Sequence, residues 1–250
     1  MCKINIDRKD LLNFFTSFGK GVTDVRMACA GDRITVEVGF SQYYLRKYIS
    51  GVTVTEEGFI HIAFLEKAIA FLKATKQDSV TLRQVSPVKP LHIEAGGNKI
   101  QLPSTDDILS ASKTIVVRKL LEKSSAVGWS EFADVKLNVH ADVKTADLIS
   151  LSGMKGLVSD DSQFKLRVHC GENELGIVAG KAATGRLFTV LPITDSDGPN
   201  KTVETFFGKW LPTCLQYLDD GNARFHMGDN ELVIFEQDNT LLMILNESDA

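Results

Sequence analysis

The chain has 250 residues, with 28 basic and 32 acidic side chains and a formal net charge of −4. At 44% hydrophobic and 24% charged residues it is neither a disordered tail nor a membrane protein, and it is too long for a disulfide-stapled mini-protein. A globule of this size buries about 70% of its unfolded surface, in one large domain or two smaller ones, and the acidity argues against a simple basic nucleic-acid-binding protein.

Read by period, residues 3–6 form a short strand. Asp7 can cap a helix whose apolar stripe is Leu11, Leu12, Phe15 and Phe18, stopped by Gly19 and Gly21. Alternating runs follow at 24–30, 33–40 and 43–49, with Gly31-Asp32 as a hairpin turn. The pattern restarts at 59–63. A helix over 64–75 carries Leu65, Ala68, Ile69 and Leu72, and strands follow at 79–85, 91–94 and 99–102.

The second half repeats the theme. A strand is expected over 134–140, then a helix capped by Asp142 with Val143, Ala146, Leu148, Ile149 and Leu151 inward. Strands are expected at 164–170, 175–179 and 186–191, then a polar loop over 194–200 and a strand at 202–206. A helix is expected over 208–218, with Pro212 in its first turn, where its missing N–H costs least. Strands at 223–226, 231–236 and 240–245 close the chain. One unit, strand–helix–three strands, therefore occurs four times, starting near residues 3, 59, 134 and 202. Two units make a domain: 1–104 and 133–250, joined by a connector over 105–132 with an apolar-basic middle. The fold class expected is α+β.

The start, MCKINIDRKDLLNFF, lacks a signal peptide's apolar run, and no stretch reaches the ~20 apolar residues of a membrane span. Cys2, Cys29, Cys170 and Cys214 form no CxxC pair and no zinc-ligand spacing with histidine. Reduced thiols in a cytoplasmic protein, without metal or cofactor, are the expectation. The sequence has no GxSxG, P-loop or HExxH, and GIVAG at 176–180 lacks the dinucleotide fingerprint. His61, His92, His140, His169 and His226 fall in or at the ends of strands and read as sheet residues. The acidic pairs Glu56-Glu57, Asp106-Asp107, Asp160-Asp161 and Asp219-Asp220 read as solvated turns. No enzyme activity is expected. Charge divides unevenly: the four expected helices with their flanks, 7–20, 64–77, 142–156 and 208–218, sum to +4, which leaves −8 for everything else. That is either an ordinary set of solvated helix faces or a basic helical layer suited to phosphate.

The fourfold unit, two per domain, resembles the DNA sliding clamps: the bacterial polymerase III beta subunit, proliferating cell nuclear antigen and the trimeric clamps of bacteriophages. The segment FFGKWLPTCLQYLDDGNARFHMGDNELVIFEQDNTLLMIL resembles a clamp's closing unit. IDRKDLLNFFTSFGKGV resembles the opening helix, and FIHIAFLEKAIAFLKATKQDSVTLRQ the second unit. The resemblance implies a ring of six such domains, hence a homotrimer for a two-domain chain, with helices lining the hole and sheets outside. It implies a polymerase processivity factor that encircles duplex DNA without sequence preference, partnered by a DNA polymerase and a clamp loader, and located in the cytoplasm, at the nucleoid or in a host cell if a bacteriophage encodes it. DNA-facing candidates are Arg8, Lys9, Lys20, Lys67, Lys73, Lys76, Lys144, Lys155 and Lys209. The partner-peptide pocket would be formed by Ile115, Val116, Val117 and Leu120 of the connector with Met243, Ile244 and Leu245. Edge strands that pair between subunits are expected around 80–85 and 176–178. Two alternatives remain: a regulatory or checkpoint-type clamp subunit of a hetero-oligomer, and a non-enzymatic β-rich structural or virion protein.

Overall fold

The structure is a computed structural model that describes residues 1–19, 21–104, 108–154, 163–181 and 185–247. Lys20, Lys155, Gly156 and the pairs Asp106-Asp107 and Asp160-Asp161 lie outside the described residues. The chain divides into two compact units, Met1–Val38 with Arg46–Ser112, and Gly39–Leu45 with Lys113–Ala250.

The first unit is built from β1 (Cys2–Asp7), α1 (Arg8–Thr16), β2 (Val25–Ala30), β3 (Arg33–Gly39) and the end of β4 (Tyr43–Ser50). It continues with β5 (Thr53–Glu56), β6 (Gly58–Ile62), α2 (Leu65–Ala74), β7 (Ser79–Gln84), β8 (Leu91–Ala95) and β9 (Asn98–Leu102). One sheet has the order β5-β1-β7-β8-β9, and β3, β2 and β6 pair in a second. The Asp7 carboxylate accepts from the backbone N–H groups of Lys9 and Asp10 at 2.7 and 3.1 Å, satisfying two of the orphan donors that open α1. Helices α1 and α2 pack against each other and bury Leu11, Phe14 and Phe15 on one and Leu65, Ala68 and Leu72 on the other. Alternating strand residues such as Ile4, Met27, Val36 and Leu82 complete the core.

The second unit contains the start of β4, α3 (Ile108–Ala126) from Lys113 onward, β10 (Glu131–Phe132), β11 (Val135–Lys136), β12 (Val139–Lys144) and α4 (Thr145–Met154). It continues with β13 (Phe164–His169), β14 (Glu174–Lys181), β15 (Gly185–Asp197), β16 (Val203–Phe207), α5 (Leu211–Leu215), β17 (Asn222–Met227), β18 (Val233–Glu236) and β19 (Thr240–Ile244). Its strands run β16-β13-β14-β15-β12-β17-β18-β19.

The fourfold repeat is visible in the pairing. In the first unit, β1 leaves its own repeat to pair with β7, and β6 pairs back with β2. In the second, β12 pairs with β17 and β16 with β13. Each repeat therefore lends its first strand to its neighbour's sheet, which ties two repeats into one unit.

Several expectations are corrected. Asp142 caps no helix: β12 runs to Lys144, because Val139, Ala141 and Val143 alternate inward and pair along β17, and α4 starts at Thr145. The strand expected over 134–140 splits into β11 and β12, with Ala133 at φ 53° turning the small β10–β11 hairpin. The polar loop expected from 194 is strand as far as Asp197, because Thr194 and Asp197 pair with Asp142 and His140. The helix expected over 208–218 is only Leu211–Leu215, continued by i→i−3 turns to Tyr217 and Leu218. Trp210 folds over Gly208 so closely that a Cβ there would lie 2.0 Å from the indole ring, so this turn requires glycine. β5, an edge strand of alternating exposed and half-buried residues, was not expected. Neither expected edge is an edge: β7 lies between β1 and β8, and β14 between β13 and β15.

Candidate functional site

Two regions carry the functional candidates: the outward faces of the helices, and the connector with the face of the second unit that it covers.

On α1, Arg8 is half-buried, and its Nη1 donates to the carbonyl oxygen of Leu72 at 3.2 Å. Its charge thus sits among the unsatisfied carbonyls near the α2 C-terminus, a structural position. Lys9 is exposed beside Asp10, with Asn13 and Thr16 further along the same side. On α2, Lys67 and Lys73 are exposed together with Glu66 and Ala70. Lys67 Nζ lies 4.6 Å from the centroid of the Phe64 ring, a cation–π contact that leaves it at the surface. Lys76 is exposed two residues beyond the helix.

The second unit differs. Lys144 is exposed but ends β12, and Lys209 is exposed but precedes α5. The exposed positions of α4 and of the α5 turn include Ala146, Ser150, Thr213 and Gln216, all uncharged. Four of the nine basic candidates lie in described helices, all in the first unit: Arg8, Lys9, Lys67 and Lys73.

The connector is largely helical. α3 spans 19 residues and packs through Val117, Leu120 and Leu121 against residues of β4, β18 and β19. Tyr44, Leu121, Trp129, Phe132, Leu137, Leu232, Ile234, Leu241 and Met243 form one buried cluster, with Val117, Leu120, Val135 and Leu245 half-buried around it. The pocket candidates therefore separate. Val117, Leu120, Met243 and Leu245 come together. Ile115 and Val116 face solvent at 40% and 60% exposure, and Ile244 is fully buried, its side chain on the strand face opposite to that of Met243. A Cβ at Gly39 would lie 3.2 Å from Thr114 Cγ2, so the small residue lets α3 approach the β3–β4 turn closely. The Leu245 N–H donates to the carbonyl oxygen of Gln42 at 2.9 Å, which fixes the chain end beside the same turn.

Sequence reasoning missed the aromatic residues here. Phe40 is 47% exposed and packs at a tilt against Tyr43, with centroids 4.8 Å apart. Tyr43 in turn packs at a tilt against Tyr217, and their hydroxyls are 3.0 Å apart. Burial first, and the Tyr217 hydroxyl second, push the Tyr43 pKa up, so this pair stays neutral and hydrogen-bonded. The local signal was present in the FSQYYL segment, but its partners come from positions 70–200 residues away.

Beneath the end of α3 lies a histidine pair. His140 and His226 are cross-strand partners on β12 and β17, with their Nδ1 atoms 2.8 Å apart. The Trp129 indole stacks on the His226 ring at 5.2 Å and 20°. Burial, and then the neighbouring His226, hold the His140 pKa below the ordinary histidine value. Among the described residues, no group of three histidine, cysteine or acidic side chains is arranged to hold a metal ion, and no helix is long and apolar enough to cross a membrane.

No family model matches the sequence, and no curated protein matches it. Solved structures do match the fold. The beta clamp of Helicobacter pylori, in complex with 5-chloroisatin, is 16% identical with a TM-score of 0.72. The match covers 99% of this chain, which spans 64% of the H. pylori chain's length. The same clamp has been solved bound to a DNA ligase peptide, at 14% identity and TM-score 0.68, covering 99% of this chain and 67% of that one. The DNA polymerase III beta subunit of Thermotoga maritima is 10% identical, TM-score 0.75, covering 100% of this chain and 66% of that one. PCNA of Thermococcus kodakaraensis is 14% identical, TM-score 0.69, and covers 99% of this chain and 100% of its own. The α+β architecture of this chain is the fold of the DNA sliding clamps.

Proposed function

We propose that this chain, which has the sliding-clamp fold, is a DNA sliding clamp: a ring-forming subunit that encircles duplex DNA and tethers a polymerase for processive replication. The observation that carries the reading is the match with PCNA along the full length of both chains, two repeats per unit and two units per chain. A chain of that length needs three copies to supply the six domains of a ring, so the proposed assembly is a homotrimer, with 1–104 and 133–250 as clamp domains and 105–132 as connector. Enclosure would let phosphate contacts be weak and non-specific, as sliding requires. Lys9, Lys67, Lys73 and Lys76 would face DNA first, with Lys144 and Lys209 less committed and Arg8 holding α1 to α2.

Among the described residues, the outer edges of two strands support the self-assembly. β9 ends its sheet, and residues 185–192 of β15 pair with β14 while 193–197 pair with β12. On that first stretch Phe188 and Val190 stand two residues apart at 62% and 40% exposure. An exposed apolar edge of this kind invites strand pairing, here with β9 of a second copy. Partner peptides from a polymerase and a clamp loader would dock beside Val117, Leu120 and Leu245, as a DNA ligase peptide binds the H. pylori clamp. The protein would act without catalysing a reaction, in the cytoplasm at the nucleoid, or in a host cell's cytoplasm if a bacteriophage encodes it. Sedimentation equilibrium tests the assembly: a homotrimer has three times the 27.5 kDa chain mass. A stable monomer would instead indicate a subunit that needs different partners.

A further inference from the structure

The chain turns sharply where α3 ends. Gly128 and Trp129 both adopt left-handed backbone, at φ 67° and 60°. Their N–H groups donate back to the carbonyls of Ser125 and Ser124 at 3.0 and 2.9 Å, which closes the helix C-terminus. Glycine takes this conformation freely, but for a bulky residue such as tryptophan it is strained and persists only where the surroundings over-determine it. What holds Trp129 is its burial, 6% exposed, against the His226 ring, itself 2% exposed.

The support under Trp129 depends on protons. At 2.8 Å one of the two facing Nδ1 atoms must donate and the other accept. A neutral pair satisfies this. A singly protonated pair also does, because one ring still offers a lone pair. A doubly protonated pair places two N–H donors head to head and cannot keep the geometry. The charged groups facing the pair are on every neighbouring strand. Asp197 on β15 pairs in register with His140, and Arg224 on β17 forms a 3.0 Å ion pair with Asp142 one row along. Glu236 on β18 approaches His226 Nε2 at 3.5 Å, and among the described residues that nitrogen makes no hydrogen bond.

We propose that the His140–His226 pair is an acid-sensitive latch: it holds Trp129 and the end of α3 on the sheet when it shares a proton, and releases them when both rings are protonated. The sign follows from linkage. His140 is held neutral below its ordinary value of 6.5, so the released or unfolded chain binds more protons than the latched one. The latch is therefore complete above that pH and weakens as pH falls below it. Release would loosen the α3 end beside Val117, Leu120 and Leu245, so regulation of partner docking rests on the sliding-clamp reading, whereas the latch does not.

The test uses the full chain without DNA or partner. Hydrogen exchange, corrected for the intrinsic pH dependence, is followed for residues 124–137 and for the rest of the second unit between pH 7.5 and 5. The latch predicts faster exchange confined to 124–137, with a midpoint below 6.5. His140→Gln supplies an amide that can donate to His226 but cannot titrate, and should abolish the transition. The W210F variant leaves Trp129 as the single tryptophan, and its emission should shift to the red over the same range. Should W210F fail to fold, the exchange experiment on the unmodified chain decides. Unchanged exchange down to pH 5, acceleration spread over the whole unit, or an identical transition in H140Q would each overturn the latch. None of these outcomes bears on whether the chain forms a ring.

Discussion

The two units share one repeat but present different helical surfaces. In the first, α1 and α2 expose Lys9, Lys67 and Lys73, with Lys76 just beyond. In the second, α4 and α5 expose alanine, serine, threonine and glutamine, and the nearest described lysines, Lys144 and Lys209, lie outside the helices. The buried faces answer to packing and are alike in kind: Leu11, Phe15 and Leu72 in one, Leu148, Leu151 and Leu215 in the other. Packing fixes the inner face of each helix and leaves the outer face open to whatever the surface must meet. On the sliding-clamp reading, the described residues would place more of the DNA contact in the first unit than in the second.

Reversing charge on the richer surface should have the largest effect. K67E, K73E and K76E together should lower retention on loaded circular DNA at least about tenfold and flatten its dependence on log salt by roughly two to three units. Circular dichroism should show an unchanged fold, because all three side chains are exposed. Arg8 separates charge from structure within the same unit. Arg8→Ala should cost about 1–2 kcal/mol in urea unfolding, since it removes a charged donor from the Leu72 carbonyl, while the salt slope stays within about one unit of the parent.

The poorer surface offers the reverse experiment. Adding cations with Ser150→Lys and Thr213→Lys should steepen the salt slope by roughly one unit per lysine that reaches phosphate, if the α4–α5 surface faces DNA as the α1–α2 surface does. The smallest effect is expected from K144E with K209E, less than about twofold in retention at moderate salt, because neither side chain projects from a helix and exposed charges are screened. A loss as large as that of the α2 variants would erase the distinction between the units.

Much of the fold was legible because it is written in local periodicity. The Asp7 cap, the α2 stripe and the alternation of β2, β3, β7 and β8 depend on neighbours within one element. The errors fall where long-range pairing decides. Val143 fits both a helical stripe and a strand alternation, and only its pairing with Ala223 on β17 settles it. Thr194–Asp197 has a loop's composition, yet β12 recruits it as strand. The connector face was half legible. Val117, Leu120, Met243 and Leu245 pack in one cluster, whereas Ile115 and Val116 turn outward, because a helix places consecutive residues about 100° apart and only some of its faces can reach the sheet. Tyr44, Trp129 and Phe132 join that cluster from separate segments, and no spacing rule connects them. His140 and His226 were read correctly as sheet residues, but their 2.8 Å contact follows from the β12–β17 register alone.

On the sliding-clamp reading, the ring encloses DNA. The chain, loaded with its loader onto a nicked circular duplex and passed through a sizing column, should remain with the circle and be lost once a restriction enzyme linearises it. Equal retention on circular and linear DNA would contradict the account.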